Sequence, residues 1–125
     1  MHSLGLLLKS HQPDFPYALR LVTSYQKFNV DDLPLFIIVP AGDVATFAAL
    51  GGPGITVLPE TELARYLVDT DVHGLRPGYI NQEIVKLAFW ELGLADNYFC
   101  VDSDAEFIRP IHRSDFMFDE HTPYS

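Results

Sequence analysis

Cationic side chains are scarce in this 125-residue sequence: eight Lys and Arg stand against seventeen Asp and Glu, a formal charge of −9. Nucleic-acid binding needs a basic face to displace phosphate counterions, so a charge of this sign argues against it, and against an anionic membrane surface. Small phosphate compounds are not excluded, because a divalent cation supplies positive charge locally. Cysteine is nearly absent. Cys100 alone allows no intramolecular disulfide, and its place in an apolar run reads as a buried thiol of a cytoplasmic protein. Long apolar runs are missing too. Leu4 to Leu8 is too short for a signal-peptide core, and no segment approaches the ~18 apolar residues of a membrane helix. The expectation is a cytoplasmic chain with no membrane span and no nucleic-acid partner.

What is present is ordinary globular material, 48% apolar and 20% charged, read as one domain over residues 1–125. Short continuous apolar runs alternate with helical patterns. Strands are expected at Leu4 to Leu8, Leu35 to Val39, Ile55 to Leu58 and Tyr98 to Val101. After the first run, Asp14 is a candidate N-cap and Pro16 falls in the first turn. Ala18, Leu21, Val22, Tyr25 and Phe28 follow at helical spacing. Asp31-Asp32 before Pro34 reads as a turn. Ala41 to Leu50 reads as a short helix, and residues 60 to 68 as a helical turn or two. Gly51-Gly52-Pro53-Gly54 is a turn rather than a phosphate loop, since no Lys-Ser/Thr follows and a strand comes next.

Tyr79 to Leu92 has the widest apolar arc of any helical stretch, with Gln82, Glu83, Lys86 and Trp90 on the remaining stripe and Gly93 as C-cap. Strands apolar on both faces, separated by helices, predict an α/β fold. Its form is three-layered: a mostly parallel sheet flanked by helices.

In such sheets ligands bind beyond the carboxyl ends of the strands. Two segments there carry chemistry: Lys9-Ser10-His11 after the first strand and Asp102-Ser103-Asp104 after the fourth. They form one cleft only if the strand order brings them together. Asp-Ser-Asp offers the hard oxygen donors that magnesium and manganese prefer, with water and substrate phosphates completing the coordination. The plainer reading is that the two aspartates cap a turn, as Asp commonly does. His11, His73, His112 and His121 have no metal-ligand spacing. Gln82 and Lys86, four apart on the polar stripe, fit a solvated face as well as a site.

The stretches YINQEIVKL and YFCVDSDAEFIRP together resemble an uncharacterised bacterial family of glycosyltransferases with the GT-A fold. The resemblance is firm over residues 78 to 110 and looser over residues 4 to 60. It implies a Rossmann-like domain that binds a nucleotide-diphosphate sugar through manganese or magnesium and passes the sugar to an acceptor hydroxyl. By position, Asp104 would be the direct metal ligand, and Asp102 would meet the ribose, or the metal through water. Lys9 and Ser10 would lie near the nucleotide, and Gln82 and Lys86 near the diphosphate or sugar. Family members continue well past the Asp-x-Asp strand, so residues 1–125 correspond to the truncated, N-terminal, donor-binding portion of that fold. The sugar, the base, the acceptor and the stereochemistry are not legible.

Two rivals remain. A non-catalytic or degenerate α/β module would use Asp102 and Asp104 only as turn caps. A magnesium-dependent phosphohydrolase of the haloacid-dehalogenase type also places Asp-x-Asp after an apolar strand. There, however, the strand lies near the N-terminus and the second Asp is followed two residues on by Thr or Val, where this chain has Glu106.

Overall fold

A computed structural model of the chain describes residues 2–62 and 89–117. Four strands, β1 (His2–Lys9), β2 (Leu35–Val39), β3 (Ile55–Pro59) and β4 (Ala95–Val101), form one sheet. All pairings are parallel, in the order β3-β2-β1-β4. Helix α1 (Phe15–Phe28) joins β1 to β2, and the single turn α2 (Val44–Phe47), flanked by 3-10 turns, joins β2 to β3. All four expected strands are present, and the architecture is a small parallel α/β fold.

The sheet order accounts for the layers. Strands β1, β2 and β3 progress in one direction, so right-handed crossovers place α1 and α2 on the same face. Against that face pack Leu4, Leu6, Leu8, Leu35, Ile37 and Val39, which meet Ala18, Leu21, Val22 and Tyr25 of α1 and Phe47 and Leu50. Strand β4 lies on the other side of β1, which reverses the direction of progression and calls for a connection on the opposite face. The described end of that connection obeys this rule. Phe89 packs on Leu7, Phe36 and Ile38, with Leu92, Leu94 and Tyr98 beside it. Every residue of β2 is buried, as two-sided covering requires. None of the helices among the described residues is long and apolar enough to cross a membrane.

Local details follow the chemistry of the sequence. Gly5 on β1 lets Phe36 lie across it: a Cβ there would sit 2.9 Å from the Phe36 ring. Gly54, at φ +79, closes the turn into β3. Tyr25 donates its hydroxyl hydrogen to the Leu33 carbonyl, tying α1 to the entry of β2, with the Gly54 carbonyl 3.4 Å away. Burial and then the nearby Asp32 charge push the Tyr25 phenol up to about 12. Asp32 itself has φ 54, which an aspartate tolerates in a tight turn.

Several expectations need correcting or fall elsewhere. Cys100, expected to be a buried thiol, is exposed. Among the described strands β4 is an edge, so its side chains lack a neighbouring strand to cover them. Phe99, beside it, is also half exposed and rests on Phe116 with ring centroids 4.8 Å apart. Residues 107 to 110, the segment FIRP, read as strand-like in sequence but are not a strand. They run as irregular chain until Ile111, whose N–H reaches the Phe28 carbonyl at 2.8 Å. Most of the expected Tyr79–Leu92 helix lies outside the described residues. Its end, Phe89–Leu92, is a 3-10 turn stopped by Gly93 at φ +64.

Candidate functional site

Strand order decides the central question of the sequence. Because β1 and β4 are neighbours and Leu8 pairs with Val101, the chain leaves the sheet side by side at Lys9-Ser10 and at Asp102-Ser103. The two segments that carry chemistry do meet. The Ser103 hydroxyl donates to Ser10 Oγ over 3.1 Å, joining residues 93 apart in sequence. This is the point at which the strand order reverses, the place where open α/β sheets leave a crevice.

A cavity of about 460 Å³ opens there, and the described residues lining it are Asp14, Tyr17, Asp102, Ser103 and Asp104. Asp102, Ser103 and Asp104 come from the tight turn after β4, closed by the Ala105 N–H on the Asp102 carbonyl at 3.0 Å. Asp14 and Tyr17 come from the first turns of α1. Asp14 occupies the N-cap position as its sequence suggests, but its side chain caps nothing. Its carboxylate instead meets His11 Nε2 at 3.1 Å, so His11 joins the site's rim through Asp14.

The Asp-Ser-Asp turn is held from below by α1. Arg20 Nη2 donates to the Asp104 carbonyl at 3.2 Å, and Arg20 Nε lies 3.3 Å from the Glu106 carboxylate. The buried Ser24 hydroxyl accepts the Phe107 N–H at 2.9 Å. The backbone of the turn is therefore fixed by a helix, while the Asp102 and Asp104 side chains stand exposed at the cavity.

Lys9 takes a different position from the one its sequence suggests. Its ammonium is buried, 3.2 Å from Glu60 Oε2 and 3.1 Å from the Ser10 carbonyl. It is not among the described residues lining the cavity, so it ties the ends of β1 and β3 together. Ser10 is buried and reaches the site only through Ser103. Gln82 and Lys86 lie outside the described residues, as do His73 and His121.

Sequence reasoning missed Asp14, Tyr17 and Arg20. A signal for the first two was available. The helix after the first strand starts at the carboxyl edge of the sheet, so its first-turn side chains face the same crevice as the strand ends. For Arg20 there was none, since the turn it holds, at Asp104 and Glu106, lies 84 and more residues away.

Three carboxylates around one cavity are a donor set of hard oxygens, of the kind that suits magnesium or manganese. Among the described residues, however, no three His, Cys, Asp or Glu side chains converge closely enough to enclose an ion by themselves. The residues fit an open site, in which water and ligand oxygens complete the coordination, and do not fit an all-protein cage. Compared with known proteins, the chain matches no family model, no curated sequence and no solved structure.

Proposed function

We propose that the chain is a nucleotide-sugar-binding domain of GT-A type, in which the cavity beyond β1 and β4 receives the donor's diphosphate together with manganese or magnesium. The observation that carries this reading is the convergence at the strand-order reversal. Ser10 and Ser103 are in contact, and Asp102, Asp104 and Asp14 line one opening. A turn that served only to cap would not need a cavity beside it, nor two aspartates exposed into that cavity.

Each residue has a role on this reading. Asp104 and Asp102 hold the ion, which when bound neutralises charge on the diphosphate. Asp14, steadied by His11, adds negative charge at the cavity wall and orients water around the ion. Tyr17 offers a ring against which a base or sugar can rest. Arg20 fixes the Asp104 carbonyl and so the pitch of the turn. A chain of charge −9 repels a nucleoside diphosphate by itself, which makes the ion a requirement of donor binding.

The test is thermal melting with manganese, with nucleoside diphosphates, and with both together. A ligand at a hundred times its Kd stabilises the folded state by about 2.7 kcal/mol. The expected result is a rise in Tm only when both are present, lost in Asp104→Ala. No rise with any nucleoside diphosphate would leave the reading without support and favour an inert module. Hydrolysis of small phosphomonoesters would point to the phosphohydrolase instead.

A further inference from the structure

A second opening lies along α1, on the far side of the Arg20 clamp from the carboxylate cavity. It is a groove of about 390 Å³ lined by Arg20, Thr23, Ser24, Lys27, Phe28, Glu106 and Phe107. Its chemistry is opposite to that of the first site. Cations are rare in this chain, yet two of the eight Lys and Arg line this groove. Lys9, Arg20 and Arg109 each pair with a carboxylate. Lys27 has no carboxylate partner among the described residues, and its ammonium stands 5.1 Å from the centre of the Phe28 ring. In a protein with so many acidic groups, an ammonium left unpaired beside a concave surface favours an anion more than chance placement would suggest.

The remaining lining narrows the ligand. Phe28 and Phe107 are partly buried and supply an apolar floor, since both pack against the main core with one side. Thr23 donates its hydroxyl hydrogen to the Leu19 carbonyl at 2.8 Å, which leaves its oxygen as an acceptor toward the groove. Arg20 offsets the Glu106 carboxylate beside it, so the Lys27 ammonium is the net charge of the groove. With the aromatic floor it suits a ring that carries an oxyanion, Thr23 being left to accept from a donor on that ring.

We infer that this groove is a second binding site, for a small molecule bearing a phosphate or carboxylate on a flat apolar body, held by Lys27 and Arg20 above Phe28 and Phe107. The site does not depend on the donor reading of the carboxylate cavity. It is linked to that cavity through Arg20, which lines the groove and donates to the carbonyl of Asp104 in the cavity wall. An oxyanion that draws the guanidinium away from Glu106 also shifts its hold on the Asp104 carbonyl.

The experiment is a titration of the full chain, followed by amide resonances, with phenyl phosphate, benzoate and inorganic phosphate as separate probes. Phenyl phosphate or benzoate is expected to give saturable shifts at Thr23, Lys27 and Phe107, and the one with the lower midpoint assigns the head group. Inorganic phosphate, lacking the ring, is expected to bind at least fivefold more weakly. Lys27→Ala should weaken binding at least fivefold with little change in Tm, since the exposed ammonium loses only its contact with the Phe28 ring and no carboxylate partner. The Ala105 amide should move with the same midpoint, reporting the shared arginine. Linear shifts without saturation, equal shifts around Arg109 and Arg113, or undiminished binding in Lys27→Ala would overturn the site. Equal binding of inorganic phosphate would overturn the aromatic floor, and a stationary Ala105 amide the link through Arg20.

Discussion

The Ser103 hydroxyl donates to Ser10 Oγ over 3.1 Å, so the two loops at the carboxyl ends of β1 and β4 are joined side chain to side chain. Ser10 is buried and Ser103 half-buried, so this contact is partly shielded from competing water. Ser103→Ala is expected to cost about 0.5–1.5 kcal/mol, the usual net worth of one hydrogen bond. Ser10→Ala in the same background should add little, because both substitutions remove the same bond. Urea denaturation of the two single variants and the double variant measures this coupling. Additive losses would show that the two hydroxyls act separately.

Asp14 is expected to tune ion binding without carrying it. Asp14→Asn keeps the shape of the cavity wall and removes one charge. Manganese affinity, read by the Tm rise in the presence of a nucleoside diphosphate, should fall by less than in Asp104→Ala. An equal loss in both would make Asp14 a direct ligand.

Glu60 holds a buried ammonium. Glu60→Gln removes the counter-charge and leaves Lys9 with neutral acceptors, the amide oxygen of the new side chain and the Ser10 carbonyl. Breaking a fully buried pair costs about 3–5 kcal/mol, and Glu60 keeps some contact with water, so a loss on the order of 2–3 kcal/mol is expected. Chemical denaturation reads it. Lys9→Met should recover much of that loss in the Glu60→Gln background, since an apolar pair needs no counter-charge.

Tyr25 sets an alkaline limit on stability. Its phenol is raised to about 12 in the folded chain, against about 10 when unfolded. The unfolded state therefore gives up its proton first as pH rises. The stabilisation is whole below pH 10 and is lost as the pH climbs from about 10 towards 12, by on the order of 1–3 kcal/mol. Tyr25→Phe should lower stability by about 1 kcal/mol at neutral pH through the lost bond to Leu33. It should also flatten the decline above pH 10, and Tm measured from pH 8 to 11.5 would show an unchanged slope if another group were responsible.

Gly5 reports how tightly the second face of the sheet is packed. Alanine there brings a methyl within 2.9 Å of the Phe36 ring, which must shift against Phe89, 5.3 Å away centroid to centroid. A loss of about 1–3 kcal/mol is expected for such overpacking. Phe36→Leu in the same chain should relieve part of it, as melting temperatures would show.

The strands were legible because each is a short apolar run, the last three fenced by Pro, Gly, Asn or Asp and the first by Ser3 and Lys9-Ser10, and burial on both faces leaves few alternatives to a parallel sheet. The apolar stripe of α1 was legible for the same reason, Ala18, Leu21, Val22 and Tyr25 all being buried. Less could be read where position depends on partners distant in sequence. The run holding Cys100 looks like an interior strand, yet β4 is an edge among the described strands, so local hydrophobicity misjudged its exposure. Lys9 looked like a ligand-facing cation because it follows a strand. Only the fold brings Glu60 across β2 to claim it. The pairing of Lys9-Ser10 with Asp102-Ser103 was conditional on strand order, which no periodicity encodes.

That β1 lies between β2 and β4 has a consequence for how the protein acquires its site. Strands β1, β2 and β3 can assemble through two short crossovers, but Asp102 and Ser103 arrive only when the chain between Pro59 and Ala95 has closed and β4 has docked on β1. Loop-closure entropy is spent before that pairing rewards it, which makes long-range parallel pairing slow. The cavity is thus a late product of folding. On the proposed reading of the site, ion binding would then serve as a reporter of complete assembly.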